Sequence, residues 1–239
     1  MTRHEVVSKD QWFRAHKAHL AREKALTHFR DQIAAERRAL PWMKIEKTYQ
    51  FDTVDGPKTL ADLFDGRSQL IVYHFMFPPG ADYRCLGCSL LCDHIDGASQ
   101  HLKHHDVSLV VVGRGGLEEM LAYRRRMGWR FEWVSSGGGD FNYDFDVSFT
   151  EAQLAAGEVT YNFEPRRMTS KDLPGTSVFY KDEAGDIFLT FEGRSRGGDI
   201  LIGVYNYLDF MPLGRNEPVR GNMGDWARLH DEYDLPRKG

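Results

Sequence analysis

Three cysteines in 239 residues are too few for the disulfide framework that stabilises small secreted domains. No apolar run reaches the length of about 18 residues that a membrane-spanning helix needs. The opening MTRHEVVSKDQW lacks the apolar core of a signal peptide, so a cytoplasmic protein is expected. In that compartment the cysteines are reduced, catalytic or metal-bound. Excess positive charge is missing as well: 31 Lys and Arg stand against 35 Asp and Glu, for a formal net charge of −4. Such a chain has no general attraction to nucleic acid or to an anionic membrane surface. Gly137-Gly138-Gly139 does not open a helix in a G-x-G-x-x-G pattern, and neither a P-loop nor a Ser-His-Asp signature is present. There are no internal repeats or low-complexity tracts. The length suits one elaborated domain or two small ones.

What is present is Cys85-Leu86-Gly87-Cys88, at the end of the apolar run Gln69 to Phe77 and just before a helical stretch. Two cysteines at this spacing can close a small disulfide. The N–H groups and positive end of the helix that follows favour a thiolate at the first. Cys85 is thus the expected nucleophile and Cys88 the resolving thiol. C-x-x-C is also half of a zinc site, but the one remaining cysteine is Cys92. The metal alternative therefore needs Cys85, Cys88, Cys92 and a histidine, His74 or His94. Cys92, four residues beyond Cys88, reads as a packed small hydrophobe. Arg84 is placed to stabilise the thiolate or bind an anionic oxidant, and Ser89 to cap the helix or hydrogen-bond the thiolate. Asp140, Asn142, Tyr143 and Asp144 cluster in a loop after a strand, where pocket walls form in open α/β sheets. The expected site is catalytic Cys85 and Cys88 with Arg84, Ser89, Asn142 and Tyr143 on substrate, without metal or cofactor.

The periodicities predict a charged helix over Lys9 to Leu40, stopped by Pro41, which either covers the domain or pairs with a second copy; Arg37 and Arg38 are possible anion holders on it. Strand KTYQF and a helical turn LADLFDGRS follow. QLIVYHFMF is too continuously apolar for a half-exposed strand and reads as a central strand covered on both faces. A helix over Ser89 to His105, a strand over Asp106 to Gly113, a helix over Leu117 to Trp129 capped near Gly128, and strand FEWVSS continue the pattern. GGGDFNYDFDVSFT reads as a loop and Glu151 to Leu173 as an excursion. Thr176 to Gly193 is a hairpin turning at Asp182 to Asp186, Gly198 to Met211 an amphipathic helix, and Gly214 to Gly239 a polar tail. The order specifies an α/β fold with a central mixed sheet in a thioredoxin-like arrangement, divided into a helical extension 1–41, a domain 42–213 and a tail 214–239. The seven residues Pro78 to Arg84 before Cys85 are closer to the peroxiredoxin pattern than to the tight turn of thioredoxin.

ERRALPW (36–42), LADLFDGRSQLIVYHFMF (60–77), CLGCSLLCDHIDG (85–97), YRRRMGW (123–129), WVSS with DFNYDF, SVFYKDEAGDIF (177–188) and YNYLD (205–209) together resemble the thioredoxin-like family of domain of unknown function 899. The resemblance spans nearly the whole chain and implies a thioredoxin fold whose C-x-x-C pair matches Cys85 and Cys88. Where that family reads approximately H-T-Y-S-x-Y-x-R-G, this chain has Leu189 to Gly197, LTFEGRSRG, and loses a histidine and two tyrosine hydroxyls. A thiol-disulfide oxidoreductase or thiol peroxidase is the expected activity; a metal-binding protein and a non-catalytic binding module are the alternatives. The expected partner is a small thiol, disulfide or peroxide in place of a peptide disulfide. Nucleic acid and membrane are not expected partners, and a homodimer through the N-terminal helix is possible.

Overall fold

The structure is a computed structural model of the full chain; it describes residues 4–217, 223 and 226–235. Parts of the expected N-terminal segment and tail, residues 1–3 and several beyond 217, lie outside the described residues. Two compact units divide the chain, residues 1–41 and 42–239.

The first unit is one helix, α1 (Lys9–Arg38). Ser8 caps it in a reciprocal box with Gln11, and Arg37 and Arg38 occupy its last turn, where cations meet the negative end of the helix dipole. None of its residues is buried.

The second unit begins with β1 (Met43–Lys44) and a two-stranded ribbon, β2 (Gln50–Phe51) with β3 (Lys58–Thr59). A short 3-10 turn at Asp62–Phe64 buries Leu63 and Phe64 completely. β4 (Gln69–His74) then leads to α2 (Leu86–Lys103), β5 (Val107–Gly113), α3 (Leu117–Arg126) and β6 (Glu132–Ser135). α4 (Phe141–Asp144), α5 (Glu151–Ala156) and the hairpin β7 (Val159–Tyr161) and β8 (Glu164–Arg166) fill the region read as loop and excursion. β9 (Gly175–Lys181), β10 (Ile187–Arg194), a 3-10 segment Ser195–Leu201 and α6 (Gly203–Asp209) follow.

Six strands form one sheet in the order β1-β10-β9-β4-β5-β6. β4, β5 and β6 are mutually parallel, and β9, β10 and β1 run antiparallel on the other side. β4 is hydrogen-bonded on both edges, to β5 and β9. Because strand side chains alternate, Leu70 and Val72 pack into one core with Phe64, Val110 and Phe179. Tyr73 and Phe75 pack into the other with Leu91, Cys92 and Trp133. Both faces are therefore buried, which is why QLIVYH is apolar without alternation. This is the thioredoxin-like arrangement, and it delivers the end of β4 and the start of α2 to one end of the sheet.

Three segments differ from the periodicity reading. α2 starts at Leu86, one turn before Ser89, because the Cys85 side chain itself accepts the N–H of Cys88 as the helix cap. DFNYDF contains the four-residue α4, held where Phe141 and Phe145 fill the core around Tyr49 and Phe179. The helix expected over Gly198 to Met211 is two pieces. Ile202, 2% exposed, has φ −98 and ψ 87, and its burial in the core that also holds Leu91 and Cys88 interrupts the spiral.

Candidate functional site

Cys85 is held where β4 has ended and α2 begins. Its extended backbone (φ −64, ψ 109) makes it the N-cap, and its Sγ accepts the Cys88 N–H at 3.2 Å. Behind it, α2 buries Cys88, Leu91, Cys92 and Ile95, a spacing of three, four and seven residues that lays one helix face on the sheet. All three cysteines are free thiols, Cys85 half-buried and the other two buried. A cavity of about 520 Å³ opens over Cys85 and Cys88. Its walls come from Tyr73, the loop residues Tyr83 and Arg84, Pro174 to Thr176 at the start of β9, Arg194 at the end of β10, and Ile202.

The two thiols are electrostatically unequal. The Cys88 thiol donates to Cys85, and the N–H groups of Cys88 and Gly87 add to it, which lowers the Cys85 pKa below that of an ordinary thiol despite burial. Burial pushes Cys88 well above that range, as it does Cys92. Cys85 is therefore the thiol that ionises first. We expect it to react with iodoacetamide faster than Cys92 at neutral pH, with a rate midpoint below the ~8.5 of a free thiol. Removal of its main hydrogen-bond donor in Cys88→Ala should move that midpoint upward. Equal alkylation of Cys85 and Cys92, followed by peptide mapping over a pH series, would contradict this assignment.

The other expected site residues are distributed differently. Arg84 lines the cavity, but its Nη2 donates to Glu119 Oε1 at 2.7 Å, its Nη1 to the carbonyls of Ala81 and Tyr83, and its guanidinium lies over the Phe77 ring at 4.3 Å. Its charge is engaged by Glu119, and the hydrogen bonds that lower Cys85 come from α2. Ser89 neither caps the helix nor lines the cavity: it is fully buried, its Oγ donates to the Cys85 carbonyl at 2.8 Å and pairs with the Tyr123 hydroxyl at 2.9 Å. Asn142 is buried too and accepts from Ser136 Oγ through its Oδ1. Tyr143 accepts from Arg114 Nη1 at 2.7 Å. It belongs to a buried cluster in which Arg114 pairs with Asp172 at 2.7 Å and Ser148 donates to Asp172. Ser89, Asn142 and Tyr143 lie outside the cavity lining.

Both candidate histidines are engaged in hydrogen bonds within the fold. His94 bonds the Leu90 carbonyl through Nδ1 and accepts the Val204 N–H through Nε2. His74 is fully buried against Ser177 at 2.9 Å, and burial, with the Arg194 charge, lowers its pKa to about 3, so it is neutral. Ser177 donates to Glu192, which places the His74 ring proton on Nε2. Among the described residues no three of His, Cys, Asp and Glu converge as metal ligands. Zinc held by the cysteines and a histidine is thus not assembled.

Sequence reasoning missed Tyr73, Tyr83, Thr176, Arg194 and Ile202. Pro174-Gly175-Thr176 was the available signal for the β9 wall, and the LTFEGRSRG departure for Arg194. Arg194 donates to the Phe145 carbonyl and to Glu192 Oε1, each at 2.6 Å. A Cβ on Gly175 would come within 2.7 Å of its Nη1, so only glycine lets this guanidinium pass behind the start of β9.

Among solved structures the chain is similar to peroxiredoxin Q of Xanthomonas campestris, at 14% identity over 65% of this chain and 88% of that one, with a TM-score of 0.41. It is also similar to thioredoxin peroxidase I of Plasmodium yoelii, at 17% identity over 71% and 87%, with a TM-score of 0.42. A third similarity is to peroxidoxin BcpB of Mycobacterium tuberculosis, at 14% identity over 70% and 98%, with a TM-score of 0.39. No curated protein matches the chain. No helix among the described residues is long and apolar enough to cross a membrane. Residues 1–233 match the family described as bacterial protein of unknown function (DUF899), and with its thioredoxin-like sheet and C-x-x-C pair this chain belongs to that family.

Proposed function

We propose that the protein is a thiol-dependent oxidoreductase that reduces a small peroxide or disulfide through Cys85 and Cys88. The observation that carries this reading is the N-cap position of Cys85: a thiol of lowered pKa, cradled by the α2 N–H groups, at the base of a cavity that also reaches Cys88. With a peroxide, the Cys85 thiolate attacks one oxygen, an S–O bond forms as the O–O bond breaks, and the alcohol leaves with a proton. The Cys88 thiol then attacks the sulfenic sulfur, an S–S bond forms, and water leaves. With a disulfide, Cys85 forms the mixed disulfide and Cys88 releases the second thiol. Two equivalents of an external thiol then reduce the Cys85–Cys88 disulfide and leave as their own disulfide.

The cavity walls favour a small ligand. The cavity is concave and mostly apolar, with few polar groups, whereas a peptide disulfide needs an open edge for backbone pairing. Turnover of hydrogen peroxide or of a small organic disulfide should exceed reduction of insulin disulfides. Mass spectrometry of the oxidised protein should find a peptide lighter by two hydrogens that spans Cys85 and Cys88. Efficient insulin reduction without small-substrate activity, or Cys88 paired solely with Cys92, would overturn the reading.

A further inference from the structure

We infer that the reduced Cys85 and Cys88 thiols and the thioether of Met76 form a three-sulfur binding site for copper(I). The starting observation is the orientation of Met76, in the coil just after β4. A methionine that only fills a gap can present its methyl, its methylenes or its sulfur. Here it is the sulfur that faces the cysteine, with Met76 Sδ 3.7 Å from Cys85 Sγ. Metal–sulfur bonds of roughly 2.3 Å at tetrahedral or trigonal angles hold two sulfurs roughly 3.8 to 4.0 Å apart. The Met76–Cys85 pair is thus almost at ligating separation before any metal arrives. Cys88, about one turn along α2 from Cys85, lines the same cavity and supplies the third sulfur.

The donor set decides the metal. No three of His, Cys, Asp and Glu converge anywhere among the described residues, and His74 and His94 have both been placed in structural hydrogen bonds. Hard cations find no oxygen cage here. Zinc lacks a tetrahedral set of nitrogen and thiolate ligands. Two thiolates and a thioether are soft donors, which select copper(I), an ion content with low coordination numbers.

Charge and access agree with this. Binding releases the two thiol protons to solvent and leaves one net negative charge on the site. The Cys88 N–H already points at Cys85 Sγ from 3.2 Å, and the positive end of α2 offsets that charge. The cavity gives an entry path from solvent to Cys85 and Cys88. Metal binding and the Cys85–Cys88 disulfide are mutually exclusive, so oxidation of the pair would expel the ion.

The test is an anaerobic titration of the reduced full-length protein with copper(I) against a chromophoric copper(I) chelator. One copper(I) per chain is expected, with none bound by the oxidised protein. Cys92→Ser should leave affinity unchanged, and Cys85→Ser or Cys88→Ser should remove competitive binding. Met76→Leu is the decisive variant because its near-equal volume preserves packing. It should weaken copper(I) at least about ten-fold, and X-ray absorption should count two sulfur neighbours in place of three. Unchanged affinity in Met76→Leu, or two sulfur neighbours in the wild type, would overturn the inference while leaving the thiol chemistry of Cys85 intact. Tighter binding of zinc(II) than of copper(I) would overturn it as well.

Discussion

Replacing Cys85 by serine is expected to remove peroxide- and disulfide-dependent thiol turnover, by at least about 1,000-fold in kcat/KM, because a serine hydroxyl at neutral pH is a far weaker nucleophile than a thiolate. The substitution should not unfold the site. Cys85 is the α2 N-cap and accepts the Cys88 N–H, and serine is among the best residues in that role. Loss of activity with an unchanged melting temperature is therefore the signature. Cys88→Ser separates the two half-reactions. Its first attack on peroxide should proceed and then stop after one turnover, with a sulfenic acid at Cys85 that a dimedone-type reagent labels. Turnover that survives Cys85→Ser would exclude the cysteine mechanism, and multiple turnovers in Cys88→Ser would assign resolution to another thiol.

Asp172→Ala should cost about 3–5 kcal/mol of folding stability, the usual effect of removing one partner from a buried ion pair. Asp172 and Arg114 are 2% and 8% exposed at the side chain and lie 2.7 Å apart. Arg114 also donates to Tyr143, and Asp172 accepts from Ser148. Without the carboxylate, a guanidinium stays buried without its counter-charge. Urea denaturation followed by tryptophan fluorescence would measure the loss. The double variant Arg114→Met/Asp172→Leu should recover most of it, since apolar side chains of similar volume often replace a buried pair at little cost. A loss below about 1 kcal/mol for Asp172→Ala would place the pair among solvent-screened surface bridges. Asp172 lies two residues before Pro174, which walls the cavity, so a weaker KM for small substrates should accompany the lost stability.

The residue pattern by itself determined most of the scaffold. Leu70 to Phe77 carries apolar or aromatic residues at successive positions with only His74 between them, a pattern that requires burial on both faces and so a central strand. Cys85 and Cys88 were legible as a C-x-x-C pair at a helix start, which is a local property of the chain. The helix expected over Leu117 to Trp129 was legible in the same way; it ends at Arg126, and Gly128 takes the left-handed conformation just after its Met127 cap. Tertiary structure decided which polar residues face the cavity. Ser89, Asn142 and Tyr143 are in sequence where a site residue belongs, yet Ser89 and Tyr143 are satisfied by the distant Tyr123 and Arg114, and Asn142 by Ser136, six residues away. Arg84 is close to Cys85 in the chain, but Glu119, 35 residues away, takes its charge. Arg194 and Pro174 reach the cavity because β9 pairs antiparallel with β4 and sets its first residue, Gly175, beside His74. The physical reason is the range of the interactions. Helix caps and strand alternation act over a few residues, whereas desolvation and the choice of hydrogen-bond partner are settled only when segments far apart in sequence pack together.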